Sequence, residues 1–281
     1  GFIHRADDAM GILPAVAAHL GINPDALVAS GGGDNMMGAI GTGNIQPGGI
    51  TMSLGSSGTV YAYAAEPAVS PQPSVATFCS SSGGWLPLIC TMNLTNATGA
   101  MRELLELDID AFNALVARAP IGAEGVCMLP FLNGERVPAL PHATGSLFGL
   151  TTTNLTRANL CRAVVEGTTF GLRYGLDLLR ANGLEAQSIR LIGGGSKSPV
   201  WRQIVADIMD TTVICTEQSE AAALGAAIQA AWCHSGSQQS LADLCERCVK
   251  LDPASETRPI TEQVAASQKA YANYQERIAT L

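Results

Sequence analysis

The stretch Ile189-Arg190-Leu191-Ile192-Gly193-Gly194-Gly195-Ser196-Lys197-Ser198-Pro199 decides how this chain is read. Its first four residues suit a strand, and three glycines then break the pattern. Ser198 is a good N-cap, because its hydroxyl can accept a hydrogen bond from a first-turn N–H. Pro199 falls on the first helical position, where a missing N–H costs nothing. A strand, a bare turn and a capped helix in that order is the repeating unit of α/β architecture.

The same grammar recurs toward both ends. Leu27-Val28-Ala29 reads as the end of a buried strand running into Ser30-Gly31-Gly32-Gly33-Asp34-Asn35, with a small-residue helix over Met36 to Ile40. Ile50 to Leu54 and Thr59 to Ala64 are expected strands joined by Gly55-Ser56-Ser57-Gly58, and Ala76 to Ser80 with Trp85 to Cys90 form a hairpin around Gly83-Gly84. Helices are expected over Leu94 to Leu107 and Ile109 to Ala117, and Val126 to Leu132 reads as a buried strand. An irregular stretch to about Gly149 precedes a long helix capped by Thr156 and ending before Gly183. A strand over Thr212 to Cys215, an alanine-rich helix from Ser219 to Trp232 and a polar amphipathic helix over Val264 to Ile278 complete the pattern.

Within the long helix Gly167, Gly171 and Gly175 recur every four residues and leave one face as bare backbone. Glu166 and Arg173 on the same helix argue against lipid, so close packing of another element is expected there.

Composition removes several classes of function. The 281 residues are 47% hydrophobic and 14% charged, with 16 Lys plus Arg against 24 Asp plus Glu. So apolar a chain supports a core and argues against disorder. Its net charge of −8 offers no basic stripe for a nucleic acid. No window of about 18 residues is free of charges and breakers, and Gly1-Phe2-Ile3-His4-Arg5 is no secretory signal, so neither a membrane partner nor export is expected. Eight cysteines in mostly apolar segments read as reduced, buried thiols of a cytoplasmic protein. Cys245 and Cys248, with Cys233-His234 upstream, have the outline of a metal site. Leu241, Leu244, Cys245 and Cys248 also fall at helical spacing, so core packing is the better reading and no metal ligand is assigned.

The chemistry points to anions. Three glycine-rich turns each follow a strand, where backbone N–H groups and a helix N-terminus can meet a phosphate. The 55–58 turn adds the hydroxyls of Ser56 and Ser57, and the 193–195 turn offers a surface without side chains, as a flat base requires. Neither turn fits G-x-G-x-x-G or G-x-x-x-x-G-K-[ST], which counts against dinucleotide and P-loop enzymes. Asp34, placed directly after three glycines, reads either as the N-cap of the following helix or as a general base within reach of a substrate hydroxyl.

Ser30 to Asn35 followed by Ser53-Leu54-Gly55-Ser56-Ser57-Gly58 resembles the carboxyl-terminal half of the FGGY carbohydrate kinases, of the xylulokinase kind. Phe131 to Pro138 is similar to the family's Leu-Ser-Gly-Glu-Arg-Thr-Pro element, with Asn133 and Val137 departing. Gly145, Leu147, Gly149-Leu150, Asn159-Leu160 and Ala163 to Glu166 satisfy the second family signature. Leu191 to Gln203 resembles the adenosine segment, with Gly195 for the usual alanine, and Glu220 to Ala227 resembles the closing connector helix.

The resemblance implies a ribonuclease-H-like α/β domain of the actin/hexokinase type, a mixed sheet flanked by helices with a βββαβαβα core. It implies that residues 1–281 are the carboxyl-terminal ATP-binding domain, 1–30 being a lead-in and first strand, and that the amino-terminal sugar-binding domain is absent. Asp34 would be the catalytic base and, with Asn35, touch the sugar. Gly55, Ser56, Ser57 and Gly58 would hold ATP phosphates, and Gly194, Gly195 and Ser198 would lie against adenosine. ATP and Mg2+ are the implied cofactors, and D-xylulose is the implied sugar. Partners would be that sugar, the absent domain and a second copy in a homodimer, since the face left by the absent domain should be apolar. The alternatives are a non-catalytic nucleotide-binding or interaction module of the same fold, or a kinase for another pentose, polyol or sugar acid.

Overall fold

The computed structural model describes residues 7–68 and 74–281, so the reading of Gly1 to Arg5 lies outside the described residues. A short antiparallel pair, β1 (Ala9–Gly11) and β2 (Leu27–Ala29), brackets helix α1 (Pro14–Leu20). Helix α2 (Asp34–Gly41) leads to strands β3 (Gly49–Leu54) and β4 (Gly58–Ala62) and the hairpin β5 (Ala76–Cys79) and β6 (Trp85–Thr91). Helices α3 (Thr95–Leu104) and α4 (Ile109–Arg118) and the small pair β7 (Cys127–Leu129) and β8 (Ser146–Phe148) precede the long α5 (Arg157–Ala181). Then follow β9 (Ser188–Ile192), α6 (Pro199–Met209), β10 (Val213–Thr216) and α7 (Ala221–Ser235). The last elements are α8 (Leu241–Cys248), β11 (Leu251–Thr257) and α9 (Thr261–Ile278).

Seven strands share one sheet in the order β11-β10-β9-β3-β4-β6-β5. Strands β3, β4 and β6 are antiparallel neighbours, whereas β9 joins β3 and β10 joins β9 in parallel. Three antiparallel strands followed by two parallel ones across helices is the expected ribonuclease-H-like core, with β5 and β11 added at its edges. No helix among the described residues is long and apolar enough to cross a membrane.

The core lies between the central strands and α5. Ile50, Met52, Leu54, Ile189 and Leu191 on the sheet and Leu172 and Leu176 on the helix are fully buried in one cluster. Each such side chain contributes about 1.5–3 kcal/mol of transfer free energy. The bare face of α5 packs as expected. A Cβ at Gly167 would lie 2.2 Å from the Met128 carbonyl oxygen, and one at Gly175 would lie 2.3 Å from Ile89. Glu166 is buried there, held by Arg162 at 2.6 Å and by the Gly122 N–H. Burial raises its pKa, and Arg162 opposes the rise. Helix α9 closes the far side through Tyr271 and Tyr274, whose rings stand 5.6 and 5.4 Å from Phe170.

Several expectations need correction. Strand β2 exists but is not buried: it pairs with β1 outside the central sheet, and Leu27 and Val28 are exposed. Helix α3 ends at Leu104 rather than Leu107, where Glu106 takes a left-handed backbone (φ 52°). The strand read to Leu132 stops at Leu129, since Pro130 has no N–H for a ladder. Cys248 is exposed and does not share the buried face of Leu241, Leu244 and Cys245; Cys79 is exposed as well. None of the eight cysteines is in a disulfide among the described residues. Burial pushes Cys127, Cys161 and Cys245 up to about 11, so they stay protonated and unreactive at neutral pH.

Candidate active site

Asp34 is not the N-cap of α2. Gly33 is the cap, and Asp34 is the first residue of the helix, exposed, where its charge suits the positive end of the dipole. Oδ1 accepts from the Asn35 backbone N–H at 2.8 Å and the Asn35 side-chain amide at 3.2 Å. Oδ2 has no partner among the described residues, so the carboxylate is oriented by one oxygen and open at the other. The glycines before it are close to the fold: a Cβ at Gly32 would lie 2.6 Å from Met37 and from Ser81. From α7, the buried Gln229 amide donates to the Gly31 carbonyl at 3.3 Å and fastens the turn from behind.

The 55–58 turn joins β3 to β4 in the register Leu54 opposite Gly58. Its carbonyls are held by α3: Thr95 N–H donates to Gly55 at 3.1 Å and Leu94 N–H to Ser56 at 3.2 Å. The Gly58 N–H donates to the Thr91 hydroxyl at 3.1 Å. Ser56 and Ser57 are exposed, and among the described residues nothing bonds to their hydroxyls. A turn with fixed carbonyls and unoccupied donors is suited to an anion.

Glu135 underpins that arrangement, a role that sequence reading passed over while quoting the motif around it. It is 3% exposed and accepts from the Met92 N–H at 2.6 Å, the Arg136 N–H at 2.8 Å and the Asn93 amide at 3.0 Å. Residues 92 and 93 lead directly into Leu94, which grips Ser56. The motif gave a signal, but its bonding partners lie some forty residues earlier.

The third turn abuts the second. Gly193 has φ 86°, and a Cβ on it would lie 2.8 Å from the Leu54 carbonyl and 3.0 Å from the Gly55 nitrogen. Gly194, in contrast, faces open space with no atom within 4 Å of a Cβ, so the need for bare backbone against the fold is at Gly193 and not at Gly194. Gly195 is a packing position, with Leu54 at 2.9 Å and Trp201 at 3.1 Å from its missing Cβ. Ser198 caps α6 as expected, accepting from Trp201 N–H at 3.3 Å. Its own proton goes to Asn113 Oδ1 at 2.9 Å, so the hydroxyl is already engaged at both ends.

Gly194, Gly195 and Ser198 form one wall of a cleft of about 560 Å³ between α3, α4 and α6. Lys197 lies on the same segment, and Arg102 of α3 and Asn113 of α4 line the cleft from the helices. Asn113 escaped sequence reading, because nothing local marks an asparagine in the middle of an amphipathic helix. The structure thus joins the 55–58 and 193–195 turns directly. Among the described residues no hydrogen bond joins Asp34 to either; its charge acts instead on Tyr61 of β4, whose pKa is raised by burial and further by Asp34.

Residues 51–234 match the model of the FGGY family of carbohydrate kinases, C-terminal domain, and the chain belongs to that family. It is 52% identical over 270 residues to the xylulose kinase of Haemophilus influenzae, covering 96% of this chain and 54% of that one. The crystal structure of a xylulose kinase from Bifidobacterium adolescentis superposes with a TM-score of 0.78 at 34% identity, over 95% of this chain and 52% of that one. A ligand-bound xylulose kinase from Lactobacillus acidophilus has the same fold, with a TM-score of 0.93 at 24% identity over 99% of this chain and 57% of that one. The chain spans about half the length of the curated relatives it matches.

Proposed function

We propose that this chain is the nucleotide-binding half of an ATP-dependent sugar kinase whose substrate is D-xylulose and whose product is D-xylulose 5-phosphate. The observation that carries the reading is the direct contact of two glycine turns, Gly193 lying against Leu54 and Gly55, with the 193–195 turn going on through Gly194 and Gly195 to wall the 560 Å³ cleft. Adenosine fits against Gly194, beside Asn113. The chain of phosphates then runs toward the open donors of Ser56 and Ser57, between Gly55 and Gly58. Magnesium, when bound on the phosphate oxygens, neutralises charge on the transferred group. Asp34, steadied by Asn35, accepts the proton of the sugar hydroxyl as that oxygen bonds to the γ-phosphorus; the bond from phosphorus to the bridging oxygen breaks, and ADP leaves. The named relatives are xylulose kinases.

The sugar pocket needs a further half. Met10, Leu13, Leu20, Leu27 and Val28 are 47%, 70%, 59%, 51% and 46% exposed, an apolar face on β1, α1 and β2 that the described residues leave largely uncovered. We assign that face to the amino-terminal half of the enzyme; left bare, it would drive pairing of two copies. The 281-residue chain is therefore expected to bind ATP but to release no ADP in response to xylulose. Joined to the amino-terminal half of a relative, it should show xylulose-dependent ADP release. Steady release by the purified chain alone would refute the division of labour, and none from the joined protein would refute the kinase reading.

A second test addresses the nucleotide. Gly194→Val places two methyl groups into the cleft without touching the fold, because no atom lies within 4 Å of its Cβ. ATP affinity, followed by calorimetry, should fall by about tenfold or more, as for a blocked stacking surface. The melting temperature should stay within about 2 °C of the parent, since exposed sites seldom move stability by more than about 0.5 kcal/mol. Undiminished ATP binding would remove the 193–195 turn from the nucleotide site.

A further inference from the structure

Strands β3 and β9 carry the glycine turns at their ends; at their starts, Gly49 and Ser188 line a second cleft of about 500 Å³. Helix α8 closes one side with Cys245 and Glu246. Arg190, on β9, lines this cleft half-buried. It donates through Nη1 to the carbonyl of Thr42, the residue that ends α2. That bond is an ordinary contact of a cation with the negative end of a helix, and it uses only one of five N–H donors.

The rest of the guanidinium is not compensated. No carboxylate among the described residues lies within ion-pair distance of it, and no other protein acceptor takes its donors. Burial lowers its pKa, and a Cys245 thiolate would oppose that fall. Burial pushes that thiol up to about 11, so it is neutral at pH 7 and supplies no counter-charge. Glu246 sits exposed at the rim. A partly buried cation without a counter-charge is unfavourable unless something supplies one. The fold makes room for it: Gly43, at φ 68°, has no Cβ, and one there would lie 2.9 Å from Nη1; the side chain remains partly exposed in the cleft. The cleft has the size of an ordinary small-molecule site, and a guanidinium fork matches the oxygens of phosphate.

We propose that the Arg190 cleft is an anion site, separate from the nucleotide cleft, that takes the phosphate group of a small metabolite. The test is a titration of the 15N-labelled chain with inorganic phosphate, against sodium chloride at equal ionic strength. Saturable amide shifts are expected at Gly43, Gly48, Gly49 and Ser188, with an isotherm distinct from any at Gly55 to Gly58. Arg190→Gln should weaken that isotherm about tenfold or more, the effect of losing a charge-assisted hydrogen bond. Gln187 is exposed and lies over Gly48, 3.5 Å from where its Cβ would be. Gln187→Glu adds a repelling charge there without disturbing the core. It should weaken phosphate about threefold or more and keeps the test decisive if Arg190→Gln does not fold. Shifts confined to Gly55 to Gly58, no saturation at several tens of millimolar phosphate, or isotherms unchanged in the folded variants would overturn the proposal.

Discussion

Gly225→Val is expected to lower the melting temperature by about 10 °C, or to prevent folding outright. Helices α2 and α7 cross with backbone against backbone. A Cβ at Gly225 would lie 1.8 Å from the Met37 carbonyl oxygen, and one at Gly41 would lie 1.8 Å from that of Ala221. Neither obstacle is the flexible tip of a side chain, so relief requires the two helix axes to separate. Overpacking of this kind costs about 3 kcal/mol, and the loss extends to the buried neighbours Met37, Ile40 and Ile228. Gly99→Ala on α3 is the control of opposite sign. Its Cβ meets nothing within 4 Å, so helix propensity alone should raise stability by about 0.5–1 kcal/mol. A melt of Gly225→Val within about 2 °C of the parent would show that the crossing is looser than described. Because α2 begins at Asp34 and α7 fastens Gly31 through Gln229, the crossing also sets where the carboxylate stands.

That crossing shows where legibility in the sequence ends. The caps at Thr156 and Ser198 are written locally, as a hydroxyl followed by a helical pattern, and both accept the bonds expected of them. The central strands and their turns are equally local, since glycine breaks an apolar run wherever it occurs. Strand β11 is not: it holds Pro253 and no apolar alternation, and it exists because β10 offers it an edge. Strand β8 is three residues that β7 recruits from an irregular stretch. In α7 the sequence shows a small-residue helix but not its partner, because Gly41 and Gly225 meet only once the sheet is assembled.

The site divides in the same way. The glycine turns announce themselves, yet which glycine does what depends on neighbours: Gly193 presses on Leu54, Gly195 on Trp201, and Gly194 on nothing. Family resemblance alone links Ser198 to adenosine, and only the Asn113 contact reveals that its proton is taken. Glu135 was quoted within a motif and assigned no role, because a buried acceptor is defined by donors that fold onto it from elsewhere. Family resemblance filled part of this gap for Asp34, where local reading left cap and base unresolved; the structure removes the cap by placing Gly33 there.

Asp34→Asn, made in the chain joined to an amino-terminal half, is expected to cut xylulose-dependent turnover by about 10² or more. The substitution is close to isosteric. Oδ1 can still accept the Asn35 N–H now held at 2.8 Å, so the start of α2 need not move. What disappears is a basic oxygen at Oδ2, and an amide in its place cannot accept the hydroxyl proton. Losing the charge at the first turn of a helix should cost only about 0.3–1 kcal/mol of stability, so a melt separates a chemical defect from a folding one. ATP affinity of the isolated chain should stay within about twofold, because the 55–58 and 193–195 turns are untouched, and twofold corresponds to well under 1 kcal/mol. The two readouts together discriminate. Turnover lost with ATP binding and melting intact places Asp34 at the proton transfer. Turnover within about threefold of the parent takes the general-base role away from it, since general-base catalysis is worth far more than that. A parallel loss of ATP affinity would make Asp34 part of the nucleotide site rather than of the proton transfer.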